Sequence, residues 1–117
     1  MSAFLDQEVD FVIGVSSVGS CNTTIFVGSI VVPDDYVSHC EVSSLYDDAR
    51  GHIVPGYDEE LRQMLIAAIH EIKTNSKLKF VERAVYVQTR GPRFETKAEV
   101  NISQENLTQD TISLFNI

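Results

Sequence analysis

The chain has 117 residues, enough for one small domain with a hydrophobic core. Hydrophobic residues make up 44% of the chain and charged residues 22%, as in ordinary globular proteins. Its 17 acidic and 9 basic residues give a formal net charge of −8, which argues against a nucleic-acid-binding protein because such proteins present a basic face.

We do not expect the N-terminal segment to be a signal peptide. Residues 1–10 contain Asp6, Glu8 and Asp10 and lack the basic region of a signal peptide. No apolar run in the sequence reaches the length of a membrane span. We therefore expect a cytoplasmic protein without a membrane partner.

The two cysteines, Cys21 and Cys40, fit no metal-binding spacing. Nothing in the sequence indicates an oxidising compartment, so we expect reduced, partly buried thiols. We accordingly predict no metal site.

Two β-type segments occupy the first third of the chain. Phe11–Val15 is a continuous apolar run, which is typical of a strand buried on both faces of a parallel sheet. The small and polar residues Ser16–Ser20 follow it as a loop. Ile25–Val32 is the second β-type segment, with Gly28 as a turn or bulge. Residues 38–56 are rich in Ser, Asp, Gly and Pro and are predicted to form a long loop.

The clearest helix is predicted over Tyr57–Thr74, with acidic residues at its start and lysines near its end. Its expected core face has three-and-four spacing and consists of Leu61, Met64, Leu65, Ala68, Ile69 and Ile72. His70 is expected at the surface. Leu78–Arg83 and Val85–Thr89 are predicted strands with a break between them. Asn101–Ile117 has no clean period.

The segment Val85–Glu99 passes from a strand pattern through Gly91-Pro92 to a helix start. Thr96 can cap this helix, because Glu99 follows three residues later, the spacing of a capping box. The turn therefore lies at the carboxyl end of a strand, where open α/β sheets bind their ligands.

Phe94 and Glu95 stand together at this turn. A flat apolar face beside a hydrogen-bond acceptor suits a heterocyclic base that carries N–H groups. A strand–turn–helix junction with one Phe is common, however, and Phe is usually a core residue. The residues alone leave a binding role and a core role for Phe94 open.

The run Gly91-Pro92-Arg93-Phe94-Glu95-Thr96, followed by Ala98-Glu99, closely resembles the base-binding motif of the purine nucleoside phosphorylase and methylthioadenosine phosphorylase family. Further similarity is found in Val15–Ser20, Gly28–Val37 and His52–Pro55. The likeness covers roughly residues 9–100 of one partial domain spanning 1–117, with a divergent tail at 101–117. It implies a partial mixed α/β sheet flanked by helices, in the nucleoside phosphorylase fold. It also implies a homo-oligomer, commonly a trimer in this family.

The resemblance implies phosphate-dependent cleavage of the N-glycosidic bond of purine nucleosides. Inorganic phosphate is then the co-substrate, and no cofactor is expected. Phe94 would stack on the purine, and Glu95 would bind the base edge, which slightly favours 6-oxopurines over methylthioadenosine. Tyr86 matches a tyrosine near the sugar. Three residues complete the implied binding site: Ser16 and Ser17 near phosphate and ribose, and His52 near the 5′ substituent of a neighbouring subunit's site.

The phosphate site and the catalytic residues stay unassigned. The family's Gly-rich phosphate loop and Arg-His segment are not found in this sequence, so catalysis by the chain alone is uncertain. Arg50, Arg83, Arg90 and Arg93 are available in the sequence, but none occupies the family's phosphate positions. Three hypotheses remain: a purine nucleoside phosphorylase, a non-catalytic truncated family member acting as an interaction subunit or having no activity, and a small α/β binding domain whose motif is coincidental.

Overall fold

The computed structural model of the protein describes residues 4, 6–40, 46, 48–73, 77–89, 92–105 and 113–116. The strands of this part are β1 (Val18–Ser20), β2 (Ile30–Val31), β3 (Asp35–Ser38), β4 (Phe80–Val81), β5 (Val85–Gln88) and β6 (Ser113–Asn116). The helices are α1 (Glu59–Lys73), α2 (Lys97–Glu105) and a 3₁₀ turn (Ala49–Gly51). The chain is therefore a mixed α/β structure, as predicted.

Two sheets share one continuous register. In the four-stranded sheet, ordered β1-β6-β5-β3, strand β5 is parallel to β3 and β6, and β1 is antiparallel to β6. The second sheet pairs β2 with β4 in parallel. Ile30 pairs with Phe80 and Ser38 pairs with Gln88, so the offset is 50 residues throughout. The two sheets are thus successive parts of one parallel ladder, interrupted at Pro33, which has no N–H to donate.

Asp34 joins the two parts of this ladder. Its backbone N–H donates to the Ala84 carbonyl at 3.0 Å, and its carboxylate accepts from the Ala84 N–H at 3.0 Å. Arg83 Nε donates to the same carboxylate at 2.8 Å. Burial raises the pKa of Asp34, but the bonds from Arg83 and Ala84 outweigh it and hold the pKa below its usual value.

Helix α1 begins one residue after Asp58, whose carboxylate accepts the Leu61 N–H at 2.7 Å as an N-cap. Arg62, whose side chain is 10% exposed, reaches across and donates to the Glu82 carbonyl at 2.6 Å. His70 is exposed, as predicted, and lies 2.7 Å from the Glu82 carboxylate. The helix is therefore attached to the segment that joins β4 and β5.

The buried face of α1 differs from the predicted one. Ile66 is the buried residue of the helix at 7% exposure, whereas Met64 and Ile72 are each 62% exposed and Ala68 is exposed. Leu61, Leu65 and Ile69 are half-buried. Positions 62, 66 and 70 line up along the β4–β5 segment, and residue 64 lies about 200° from residue 62 around the helix. The apolar stripe of α1 is wider than the surface of the protein that covers the helix. Periodicity alone therefore assigned to the buried face residues that lie on the exposed side.

The prediction of a buried strand at Phe11–Val15 is wrong. The segment forms no strand, and its apolar residues are exposed, with Phe11 at 60% and Val15 at 94%. A strand buried on both faces needs layers on both sides, and no described element covers this run. The core lies instead around Ala84, which is 1% exposed and packs against side chains from several elements: Val18, Ile25, Val31, Val81 and Tyr86.

The second β-type segment is shorter than predicted, because only Ile30–Val31 of Ile25–Val32 forms a strand. The Ser29 N–H donates to the Phe26 carbonyl, and Gly28 has a φ of +85°, so a turn precedes the strand. The loop predicted over 38–56 starts one residue later, because Ser38 ends β3, and the 3₁₀ turn Ala49–Gly51 lies in its described part. None of the helices described in the structure is long and apolar enough to cross a membrane.

We expect Asp34→Ala to lower the free energy of unfolding by about 1–3 kcal/mol, because it leaves the Ala84 N–H and the Arg83 guanidinium without their acceptor. Urea unfolding at pH 7 measures the change, and Asp10→Ala, which removes an exposed carboxylate, is the control. The folded-state pKa of Asp34 is lowered, so its contribution is present above the unfolded value and is lost as the pH falls below about 4. A difference between the two variants that is the same at pH 7 and at low pH would contradict the carboxylate's role.

Candidate functional site

The carboxyl ends of β3 and β5 meet at one edge of the four-stranded sheet, because the two strands are parallel and in register. Thr89 follows β5 at this edge, and Phe94 and Glu95 come just before helix α2. The predicted strand–turn–helix order is thus confirmed, although Arg90 and Gly91 of the turn lie outside the described residues.

The start of α2 is fixed by the capping box that the sequence predicts. The Glu99 N–H is 3.3 Å from Thr96 Oγ1, and the Thr96 N–H donates to the Glu99 carboxylate at 2.6 Å. Arg93 forms two further bonds to this carboxylate, at 2.8 and 2.9 Å, and also donates to the Phe94 carbonyl. The bonds from Arg93 and Thr96 lower the pKa of Glu99 to about 2. Two side chains therefore hold the backbone here, because Arg93 binds the Phe94 carbonyl and Glu99 binds the Thr96 N–H.

Phe94 and Glu95 have different environments. The Phe94 side chain is 75% exposed, so its ring is not part of the core. Glu95 is half-buried and accepts a hydrogen bond from the Thr89 hydroxyl at its Oε1 atom. The pair presents an open aromatic face beside a carboxylate whose position is set by a neighbour, which fits a planar base with an N–H donor.

The sequence did not indicate two residues that interact with Glu95. Thr89 comes directly after β5, at the edge where a ligand was expected, so its position was a signal that could have been used. Cys21 is half-buried, and its pKa is raised by burial and by the negative charge of Glu95. Nothing local to Cys21 predicts this proximity, because the fold brings together residues that are far apart in the chain.

Tyr86 occupies the centre of β5 and packs in part against the Ala84 core. Its neighbour in the ladder is Tyr36, whose ring meets that of Tyr57 edge-on, with centroids 5.9 Å apart. Burial raises the pKa of Tyr57, and Tyr86, Tyr36 and Asp35 raise it further. Burial raises the pKa of Tyr86, and the electrostatic effect of Cys40 raises it further. The described contacts of Tyr86 thus place it in a tyrosine cluster on the sheet.

Ser16 and Ser17 are exposed and come immediately before β1. The pairing of Val18 with Asn116 places them at the sheet edge that contains Thr89, since β6 runs parallel to β5. Strand β6 separates the two strands, so β1 lies about 10 Å from β5 in the plane of the sheet. His52 is exposed, follows the 3₁₀ turn, and its backbone N–H donates to the Ala49 carbonyl at 3.1 Å. The roles of these three residues stay predictions.

Three arginines considered for phosphate have carboxylate partners. Arg50 lies 2.7 Å from Asp48, Arg83 lies 2.8 Å from Asp34, and Arg93 lies 2.8 Å from Glu99. Arg90 is outside the described residues. Within the described ranges, no group of three or more His, Cys, Asp or Glu side chains could hold a metal ion.

Comparison with protein families gives a match over residues 2–112 to the family described as the phosphorylase superfamily. A probable 6-oxopurine nucleoside phosphorylase of Archaeoglobus fulgidus is 39% identical over 92 residues, covering 79% of this chain and 37% of that protein. An S-methyl-5'-thioadenosine phosphorylase of Hyperthermus butylicus is 32% identical over 111 residues, covering 91% and 39%. A probable S-methyl-5'-thioinosine phosphorylase of Methanopyrus kandleri is 35% identical, covering 84% and 39%. The chain spans between a third and two fifths of the length of these relatives.

Solved structures share the fold at low sequence identity. A mutant of adenosine/methylthioadenosine phosphorylase from Schistosoma mansoni in its apo form matches with a TM-score of 0.74 and 17% identity, over 99% of this chain and 46% of that one. The methylthioadenosine phosphorylase from the same organism, also in apo form, matches with a TM-score of 0.71 and 15% identity, over 99% and 55%. This likeness shows the fold.

We expect Glu99→Gln to loosen the start of α2, because it removes the charged acceptor that Thr96 and Arg93 share. Amide hydrogen exchange at Thr96 should become faster, while Glu60→Gln, an exposed change in the first turn of α1, should leave it unchanged. In the parent, the Thr96 amide chemical shift should titrate with a midpoint near the Glu99 pKa of about 2. A midpoint at the ordinary glutamate value of about 4.3 would show that the Glu99 clip, meaning the bonds from Arg93 and Thr96 to the Glu99 carboxylate, does not form.

Proposed function

The chain belongs to the phosphorylase superfamily, and we propose that it provides the base-recognition part of a purine nucleoside phosphorylase that uses inorganic phosphate as co-substrate. The observation that carries the proposal is the arrangement of Phe94 and Glu95 between β5 and the capping box of α2. The Phe94 ring is exposed, and the Glu95 side chain is half-buried. The relatives' names support the same chemistry, since all three describe nucleoside phosphorylases.

In the proposed complex, Phe94 stacks on the purine and Glu95 accepts an N–H from its ring edge. A 6-oxopurine carries a ring N–H at this edge, whereas a 6-aminopurine has an acceptor nitrogen there, so a carboxylate favours the 6-oxopurine. The Archaeoglobus fulgidus relative is named for 6-oxopurines. We therefore propose inosine-type nucleosides as the preferred substrates, with those related to methylthioadenosine second.

The remaining binding residues follow the same proposal. Tyr86 is assigned to the sugar, Ser16 and Ser17 to the phosphate and ribose, and His52 to the 5′ substituent in a neighbouring subunit. Ser16 and Ser17 support this assignment by their position at the same sheet edge as Thr89. A cytoplasmic homo-oligomer is part of the proposal, and the exposed apolar side chains of Val15, Val27 and Val54 are consistent with further burial in an assembly.

A second function is favoured by the arginine ion pairs. Arg50, Arg83 and Arg93 are each engaged by a carboxylate, so none presents an uncompensated charge to phosphate. Phosphate is the nucleophile of the proposed reaction, and a chain that binds the base without it would be a non-catalytic family member. That alternative keeps the purine site and lacks phosphorolysis.

The phosphorolysis assay separates the two functions. The purified chain is incubated with inosine or methylthioadenosine, with and without inorganic phosphate, and the free base is measured. Release that requires phosphate, and is faster from inosine, is the expected result for the enzyme. Binding of hypoxanthine without release supports the non-catalytic function, and a folded chain that binds no purine contradicts both.

We expect Phe94→Ala to weaken hypoxanthine binding by about 1–3 kcal/mol, or about 5- to 150-fold in Kd, because the stacking face is lost. Isothermal titration calorimetry measures the change. Phe26→Ala is the matched control, since Phe26 is also well exposed, at 60%, but lies in the turn before β2. Equal affinities of the parent and Phe94→Ala would remove Phe94 from the site.

A further inference from the structure

We infer that Thr89 is a positioning residue that orients the Glu95 carboxylate towards the ring N–H of a 6-oxopurine, and so sets the preference between purine bases. The inference rests on the proposed base-binding function and adds to it a residue that touches Glu95 rather than the base.

The contact between Thr89 and Glu95 joins the end of β5 to the residue before the cap of α2. Thr89 is the first residue after β5, and Glu95 precedes the cap residue Thr96. The Thr89 hydroxyl donates to Oε1 of Glu95 across the six positions that separate them. Both residues are half-buried, so the bond is partly shielded from competing water.

The bond leaves one carboxylate oxygen for the base. A carboxylate accepts only, and its two oxygens offer about four lone-pair directions. With Oε1 engaged by Thr89, the orientation of the group is fixed and Oε2 is left as the acceptor. A side chain that is held before binding loses less conformational freedom when the base arrives.

Arg93 and the Cys21 thiol are both close enough to the Glu95 carboxylate to interact with it electrostatically. Burial and the Glu95 carboxylate both raise the pKa of this thiol, so it stays neutral at pH 7. The hydroxyl of Thr89 is the hydrogen-bond donor that the structure shows for Glu95.

The bond is separate from the one that holds the helix. The clip around Glu99 uses Arg93 and Thr96, and neither donates to Glu95 in the contacts described. Removal of the Thr89 hydroxyl should therefore disturb the direction of one carboxylate and leave α2 in place.

The test compares Thr89→Val, which has the same shape without the hydroxyl, with Thr89→Ser, which keeps it. Isothermal titration calorimetry gives the Kd for hypoxanthine and for adenine. We expect Thr89→Val to weaken hypoxanthine binding by up to about tenfold, the cost of ordering on binding a carboxylate that the parent holds in place beforehand. Adenine binding should change less than about twofold, since it does not use the same N–H, and Thr89→Ser should restore the parent's preference.

A purely structural role for Thr89 gives a different pattern. In that case Thr89→Val would weaken the binding of hypoxanthine and of adenine to the same extent, and it would do so in a Glu95→Gln background as well. The positioning role requires instead that Thr89→Val has no further effect on binding once Glu95 is replaced. Circular dichroism checks that each variant is folded. Thr89→Ala removes the same hydroxyl and provides the comparison should Thr89→Val not fold.

The failure of the inference differs from that of the proposed function. If Glu95→Gln weakens hypoxanthine binding and Thr89→Val leaves the ratio of the two affinities unchanged, the positioning role is wrong and the base site stands. If the folded parent binds neither hypoxanthine nor adenine, the proposed function fails and the inference fails with it.

Discussion

The parallel ladder between residues 30–38 and 80–88 is the constraint on which the rest of the structure depends. Its constant offset brings the carboxyl ends of β3 and β5 to one edge, and the candidate site follows directly from β5. Pro33 breaks the ladder, and Asp34 restores the connection through Ala84 and Arg83. Helix α1 is attached at the corresponding break on the other strand, where Arg62 donates to Glu82. The interruption is thus also the point where the layers are joined.

The candidate site combines fixed and open parts. Around Phe94 and Glu95, the clip on Glu99 fixes the backbone and the Thr89 hydroxyl fixes one carboxylate. The Phe94 ring remains exposed, so the site has a rigid acceptor and an uncovered stacking face. Such an arrangement separates the two requirements of base recognition: direction comes from the carboxylate and contact area comes from the ring.

Features that depend on neighbouring residues were predictable from the sequence. The Thr96–Glu99 capping box, the strand β5 and the turn at Gly28 were all indicated by local spacing, as was helix α1, which was predicted to start at Tyr57 and starts at Glu59. Features that depend on distant residues were not. The apolar run Phe11–Val15 read as a strand, but no described element covers it, and the wide stripe on α1 did not show which side meets β4–β5. Cys21 approaches Glu95 only because the sheet is folded.

The offset of 50 residues also bears on how the chain reaches this structure. Each rung of the ladder closes a loop of that length, and its entropy must be lost before the first hydrogen bonds between the strands compensate for it. Helix α1 lies inside the loop, is built from local contacts and is joined to Glu82, so the folded helix shortens the effective distance between the strands. The bond from Arg62 to Glu82 joins residues 20 positions apart, so it closes a shorter loop than the ladder does and costs less chain entropy.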